Sequence, residues 1–206
     1  MSLKEPKVKK AVVFIDGQNL YRSAMDAFGY HYPNYDVKLL SSQICSIKGW
    51  ELSDVFFYTG VPDPQDHDFW HNFWTKKLSY MGRTGVKIFS RPLRYHNKNF
   101  KCSICNKEYT SLVGHEKGID VRIALDIIRF AHEKLYDVAI IVSHDQDLKE
   151  VADEVMRISK EQKRWIKIAS AFPVSPTYKI RGIDRTEWIK IERKIYDSCL
   201  DLRDYR

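Results

Sequence analysis

Ala11-Val12-Val13-Phe14-Ile15-Asp16-Gly17-Gln18-Asn19 decides the fold. Five consecutive apolar residues stop abruptly at an acid, a glycine and two amides. A short unbroken apolar run bounded by turn residues is the pattern of a strand buried on both faces. Such a strand needs helices above and below it, and the rest of the chain supplies them in alternation. Val55-Phe56-Phe57-Tyr58, Val86-Lys87-Ile88-Phe89, Val138-Ala139-Ile140-Ile141-Val142, Ile166-Lys167-Ile168-Ala169 and Trp188-Ile189-Lys190-Ile191 read as five further strands. Helix-length segments lie between them at about 18–28, 36–47, 67–81, 117–134 and 146–160. The alternation predicts an α/β fold: a three-layer α/β/α, Rossmann-like domain with a mainly parallel sheet. It is expected over residues 10–192, with a C-terminal helical tail over 193–206.

Composition narrows the class. The chain has 206 residues, 34 Lys and Arg against 27 Asp and Glu, and a net charge of +7. At 44% hydrophobic it can build a core, which excludes global disorder. No run approaches the roughly 18 apolar residues of a membrane span, and the charged Met1–Lys10 segment is unlike a secretory signal. Four cysteines do not make a disulfide scaffold, so the expected setting is the reducing cytoplasm, with no membrane partner. The positive balance permits a phosphate-bearing partner.

Residues 92–116 break the alternation. They carry Pro92, three Asn, two Cys, two His and several Lys, and the stretch is long for a structureless loop. Within it, Cys102-Ser103-Ile104-Cys105-Asn106-Lys107 resembles a zinc knuckle, because a two-residue gap lets both thiolates reach one ion. His96 and His115 complete an H-x5-C-x2-C-x9-H set, and Cys45 and Cys199 are alternative ligands. A structural Zn²⁺ would order a small Cys/His hairpin over 94–116. Two reduced thiols on a mobile hairpin is the competing reading.

Acids cluster where strands end. Asp16 follows the first strand directly, and Ser143-His144-Asp145-Gln146-Asp147 follows the fourth. Each junction alone reads as turn and capping chemistry, with Ser143 and Gln146 forming a capping box. In open α/β sheets, however, ligands bind beyond the carboxyl ends of the strands where strand order reverses. If the first and fourth strands are neighbours, Asp16, Asp145 and Asp147 converge. On the 117–134 helix, Arg122, Asp126, Arg129 and Glu133 share a polar arc, whereas Asp120 aligns with Ile123, Ala124, Ile127 and Ala131. A carboxylate on a buried face is costly unless paired or bound to a cation. Four clustered carboxylates call for a hard divalent ion, Mg²⁺ or Mn²⁺. Two such ions about 3.5–4 Å apart can activate water and stabilise a leaving oxygen in phosphodiester hydrolysis.

Three ordered segments resemble the NYN domain family, of the LabA-like type, within the PIN-like nuclease superfamily. They are Phe14-Ile15-Asp16-Gly17-Gln18-Asn19, Lys117-Gly118-Ile119-Asp120-Val121 and Ser143-His144-Asp145-Gln146-Asp147-Leu148. The similar region covers about residues 10–192. The resemblance implies a PIN-like sandwich and a metal-dependent ribonuclease. Asp16, Asp120, Asp145 and Asp147 take the metal-binding positions, Asn19 the amide position that orients water or phosphate, and Asp126 matches a frequent family acid. The family usually has Ser-Gly-Asp where this chain has Ser143-His144-Asp145. His144 is expected to face outward from the surface. Lys117 and Ser143 are the candidate substrate contacts.

Phe69, Trp70, Phe73 and Trp74 are spaced for a helical core face rather than for stacking RNA bases. Arg91, Arg94, Lys98, Lys101 and Lys107 make the insert basic. The leading expectation is an endoribonuclease acting on single-stranded or structured RNA. A non-catalytic RNA-binding module of the same fold and a small-substrate phosphatase or nucleotidase are the alternatives. The apolar residues of the tail allow packing on the domain or a homodimer.

Overall fold

The computed structural model describes residues 3–205. The chain runs β1 (Lys10–Asp16), α1 (Gly17–Phe28), α2 (Val37–Lys48), β2 (Glu51–Val61), α3 (Pro64–Arg83), β3 (Lys87–Pro92), β4 (Arg94–Lys101), β5 (Glu108–His115), α4 (Ile119–His132), β6 (Val138–Val142), a 3-10 turn over Gln146–Leu148, α5 (Lys149–Glu161), β7 (Lys167–Pro173), β8 (Glu187–Ile191) and α6 (Arg193–Asp197). Every strand expected from the apolar runs is present, and all six lie in one sheet of order β3-β2-β1-β6-β7-β8. All its pairings are parallel. The architecture is α/β, a mainly parallel sheet between helical layers, consistent with a PIN-like domain.

Alternation along β1 divides the core. Ala11, Val13 and Ile15 join the apolar layer shared with α1, α2 and α3. Val12 and Phe14 face the opposite layer, against Ile123 and Ile127 of α4 and Val151 and Val155 of α5. Side chains buried this fully contribute about 1.5–3 kcal/mol each, which ties both helical layers to one strand. Sequence also fixes the helix ends. The Asp16 and Asp36 carboxylates accept the backbone N–H groups of Asn19 and Leu39, each at 2.9 Å, and so cap α1 and α2. Gly29 ends α1 at φ +79°, a left-handed conformation that suits glycine.

The C-terminal segment differs from the expected helical tail. Only Arg193–Asp197 is helical. Beyond Cys199 the backbone bonds to the loop before α2 and does not continue the helix. The Asp36 N–H donates to the Cys199 carbonyl at 2.8 Å, and the Asp201 N–H to the Asn34 carbonyl at 2.7 Å. Tyr196 and Tyr205 are buried against the domain. Lys77 of α3 fastens this strap, donating to the Tyr35 carbonyl at 3.0 Å and to the Asp201 carboxylate at 2.9 Å. Phe73 and Trp74 are core residues, as their spacing predicts, whereas Phe69 is exposed.

The insert forms an antiparallel hairpin, β4 with β5, as a separate two-stranded sheet. No helix among the described residues is long and apolar enough to cross a membrane.

Candidate active site at the carboxyl edge of the sheet

β1 and β6 are parallel neighbours, with Ile15 level with Val142. Connections leave them in opposite directions across the sheet, toward β2 and toward β7, so the strand order reverses between them. Asp16 and Asp145 stand just beyond this switch point. They line a cleft of about 440 Å³ with Asn19, Arg22 and Asp26 of α1, Glu116 and Asp120 at the start of α4, His144, and Tyr178.

Local structure holds each acid. Asp16 is buried by the sheet end, and its cap bond to Asn19 fixes the carboxylate at the mouth of α1. The Asp145 backbone N–H donates to Ser143 Oγ at 3.1 Å, and its carboxylate accepts the Asp147 N–H at 3.0 Å. Asp145 therefore caps the 3-10 turn, in place of the expected Ser143–Gln146 box. Gln146 instead donates to the Gly182 carbonyl at 2.9 Å and accepts from the Asp184 N–H at 3.2 Å. Asn19 bridges the two junctions: its side-chain oxygen accepts the His144 backbone N–H at 3.2 Å and the His144 ring Nδ1 at 2.8 Å.

Electrostatics mark two carboxyls. Burial, reinforced by the charge of Asp145, raises Asp16 to about 6 against the bonds it accepts. Burial, reinforced by Asp16, raises Glu116 to about 7, while the Gly60 N–H and Arg22 pull it down. Glu116 comes close because Gly60 has no side chain: a methyl there would overlap Leu93 and Glu116 itself. Burial lowers His144, which Asp145 partly offsets.

The structure thus gathers Asp16, Asn19, Asp120 and Asp145 around one cleft. It does not bring the rest of the expected set there. Asp147 is exposed and lies outside the lining. Ser143 is buried, its hydroxyl accepts the Asp145 backbone N–H, and it lies outside the cleft lining, so it positions an acid. Lys117 is exposed beside the cleft without lining it. His144 is half-buried and turned inward, not outward.

Two helix positions exchange roles. Asp120 is exposed and faces the cleft, whereas its neighbour Ile119 in the same turn of α4 is buried. Asp126 is the buried acid at 4% exposure, and it accepts from Tyr58 Oη at 3.0 Å, Arg122 Nε at 2.8 Å and Arg129 at 3.0 Å. Its place is structural: it satisfies a polar tyrosine in the core and is absent from the cleft lining.

Sequence reasoning missed Glu116. The available signal was an acid directly before Lys117-Gly118, opposite a strand end carrying Gly60.

The donor set fits a hard divalent cation. All the acidic groups offer oxygen, and two of them hold raised pKa values that a cation would relieve. Among the described residues no three His, Cys, Asp or Glu side chains already converge on one point. That is compatible with Mg²⁺, which commonly takes one or two carboxylates and completes its shell with water and substrate phosphate.

The expected zinc set does not assemble. His96 and His115 stack at the base of the hairpin, with ring centroids 4.5 Å apart. Cys102 and Cys105 sit at its tip, six residues along an extended strand from His96, or about 20 Å. Cys45 and Cys199 are buried in the domain core and reach neither.

Comparison with solved structures bears on this architecture. A solved protein of unknown function from Vibrio parahaemolyticus shares the fold with a TM-score of 0.52 at 19% identity, covering 92% of this chain and 97% of its own. MurG of Acinetobacter baumannii superposes only weakly, with a TM-score of 0.32 at 9% identity over 88% of this chain and 45% of its own. No curated protein matches the sequence. The NYN domain family model matches residues 10–173, which span both strand-end junctions and the start of α4. The chain belongs to the NYN domain family of the PIN-like nuclease superfamily.

Proposed function

We propose that the protein is a divalent-metal-dependent ribonuclease that hydrolyses RNA phosphodiesters at the cleft between β1 and β6. One observation carries the reading: Asp16 and Glu116 are both held protonatable near neutrality within a polar cleft at the switch point of the sheet. Perturbed carboxyls in a concave site are the mark of a functional centre. Family membership supports the same chemistry.

Asp16, Asp145 and Asp120 would hold Mg²⁺ or Mn²⁺, with Glu116 facing them. When bound, such an ion supplies the Lewis acidity that phosphodiester hydrolysis requires. The chain's own groups do the remainder. Asn19 keeps the two strand-end junctions in register through His144. Glu116 lines the cleft opposite the strand-end acids and is placed to accept a proton from water. Arg22 lines the cleft as a cation for the scissile phosphate. Arg91, Arg94 and Lys98 on and beside the hairpin offer a sequence-independent grip on the RNA backbone.

The test is cleavage of labelled single-stranded and structured RNAs with Mg²⁺, Mn²⁺ or EDTA, beside Asp145→Asn. Metal-dependent cutting that this variant loses supports the proposal. RNA binding without cutting under any metal favours a non-catalytic RNA-binding module.

A further inference from the structure

The hairpin tip holds Cys102 and Cys105 in a closed turn. The Cys102 N–H donates to the Lys107 carbonyl and the Asn106 N–H to the Cys102 carbonyl, both at 2.9 Å. Asn106 adopts φ +57°, the left-handed turn that closes such a loop. The backbone N–H groups of Cys105 and Ile104 are directed at the Cys102 sulfur. Backbone donors aimed at sulfur stabilise the thiolate, the form that binds metal. The two cysteines are therefore preorganised and free of any disulfide.

Tetrahedral zinc requires four ligands. The histidines lie at the far end of the hairpin and the other cysteines are in the core. No other His, Cys, Asp or Glu among the described residues makes a group of three with them. Among the described residues a four-ligand site has only these two, so another molecule would have to supply the remaining pair. Ile104, between the two cysteines, is 93% exposed at the tip, an apolar side chain with nothing over it. A second copy of the hairpin brings two thiols in the same geometry and a second Ile104, as an isologous two-fold contact requires.

We propose that Cys102 and Cys105 form half of a Zn²⁺ site completed by the same two residues of a second copy of this chain, joining two molecules at their hairpin tips. Binding exchanges up to four thiol protons for one Zn²⁺, with no change of oxidation state. The proposal does not depend on the ribonuclease reading.

Titration of the reduced full-length chain with Co²⁺, followed by Zn²⁺ displacement, tests it. The expected result is an endpoint of one metal per two chains, thiolate-to-cobalt absorption typical of four sulfurs, and a metal-dependent shift from monomer to dimer in sedimentation. Cys105→Ser should abolish both the absorption and the dimer while leaving the circular dichroism unchanged, and His96→Ala should change neither. One metal per monomer, loss of binding in His96→Ala, or no thiolate absorption at all would each overturn the proposal.

Discussion

The Asn19 side-chain oxygen lies 3.2 Å from the His144 backbone nitrogen, and this bond ties the end of β1 to the end of β6. A part-buried N–H left unpaired costs about 1–3 kcal/mol. Asn19→Ala is expected to destabilise the protein by that amount and to reduce metal-dependent cleavage at least tenfold by loosening Asp145 relative to Asp16. His144→Gly keeps the backbone bond and removes only the ring contact, so it should retain most of kcat/KM. Steady-state cleavage and chemical denaturation of the two variants check the contrast.

The raised carboxyls predict a pH dependence of stability in metal-free protein. Asp16 rises from 3.8 to about 6 and Glu116 from 4.5 to about 7. A raised folded-state pKa means that the folded chain holds the proton more tightly than the unfolded one. The resulting stability is complete below about pH 4 and is lost as pH climbs through 6 to 7. For Asp16 the displacement is worth on the order of 3 kcal/mol. Asp16→Asn should therefore raise Tm at pH 7.5 in EDTA and flatten the profile between pH 4 and 7. Mg²⁺ or Mn²⁺ should raise the wild-type Tm at pH 7.5 and leave the variant unmoved. Thermal melts across pH with and without metal read both effects.

Gly60 predicts a way to displace Glu116 without removing it. Gly60→Ala places a methyl where Leu93 and the Glu116 side chain now sit. The expected outcome is a loss of cleavage similar to that of Glu116→Gln, about tenfold or more, with a smaller change in RNA affinity. Parallel binding and cleavage assays separate the two quantities.

Asp126 and Lys77 predict structural rather than catalytic losses. Removing one partner of a buried ion pair costs about 3–5 kcal/mol. Lys77→Met leaves Asp201 only Arg203 and the Tyr205 hydroxyl as partners and should release the C-terminal strap, seen as early proteolysis after Asp197. Asp126→Leu strands the Tyr58 hydroxyl and should destabilise by about 2–4 kcal/mol. Folded Asp126→Leu is expected to cleave RNA at near wild-type rates, which urea denaturation and activity measured side by side would check.

Much of this architecture is legible in the sequence because burial on both faces leaves unbroken apolar runs, as at Val12–Ile15 and Val138–Val142. Asp16 and Asp145 were legible for the same reason: each is the first polar group after such a run. Asp120 and Asp126 were misread because a helical wheel carries no record of what lies opposite. Asp126 falls in the stripe of Ile119, Ile123 and Phe130, and it is tolerated there only because Tyr58 and two arginines, 68 positions away and on its own helix, answer its charge. Asp120 has an apolar phase but opens onto the cleft. Glu116 escaped notice because its environment depends on Gly60, a contact that the folded hairpin base alone creates. The cysteine spacing reported a real turn, while the choice of histidines failed because strand length, not sequence proximity, sets their distance.

The pairing of β1 with β6 also constrains when the site can exist. Ala11 and Val138 are partners across most of the chain, so their union waits on the intervening helices and hairpin, and folds dominated by such distant pairings form slowly. During synthesis, Asp16 emerges long before Asp145. A nascent chain shorter than β6 has one half of the cleft and no opposing wall. Assembly of the acidic centre is thus delayed until about 70% of the polypeptide has been made, so a growing chain carries no complete cleft until β6 has emerged and paired with β1.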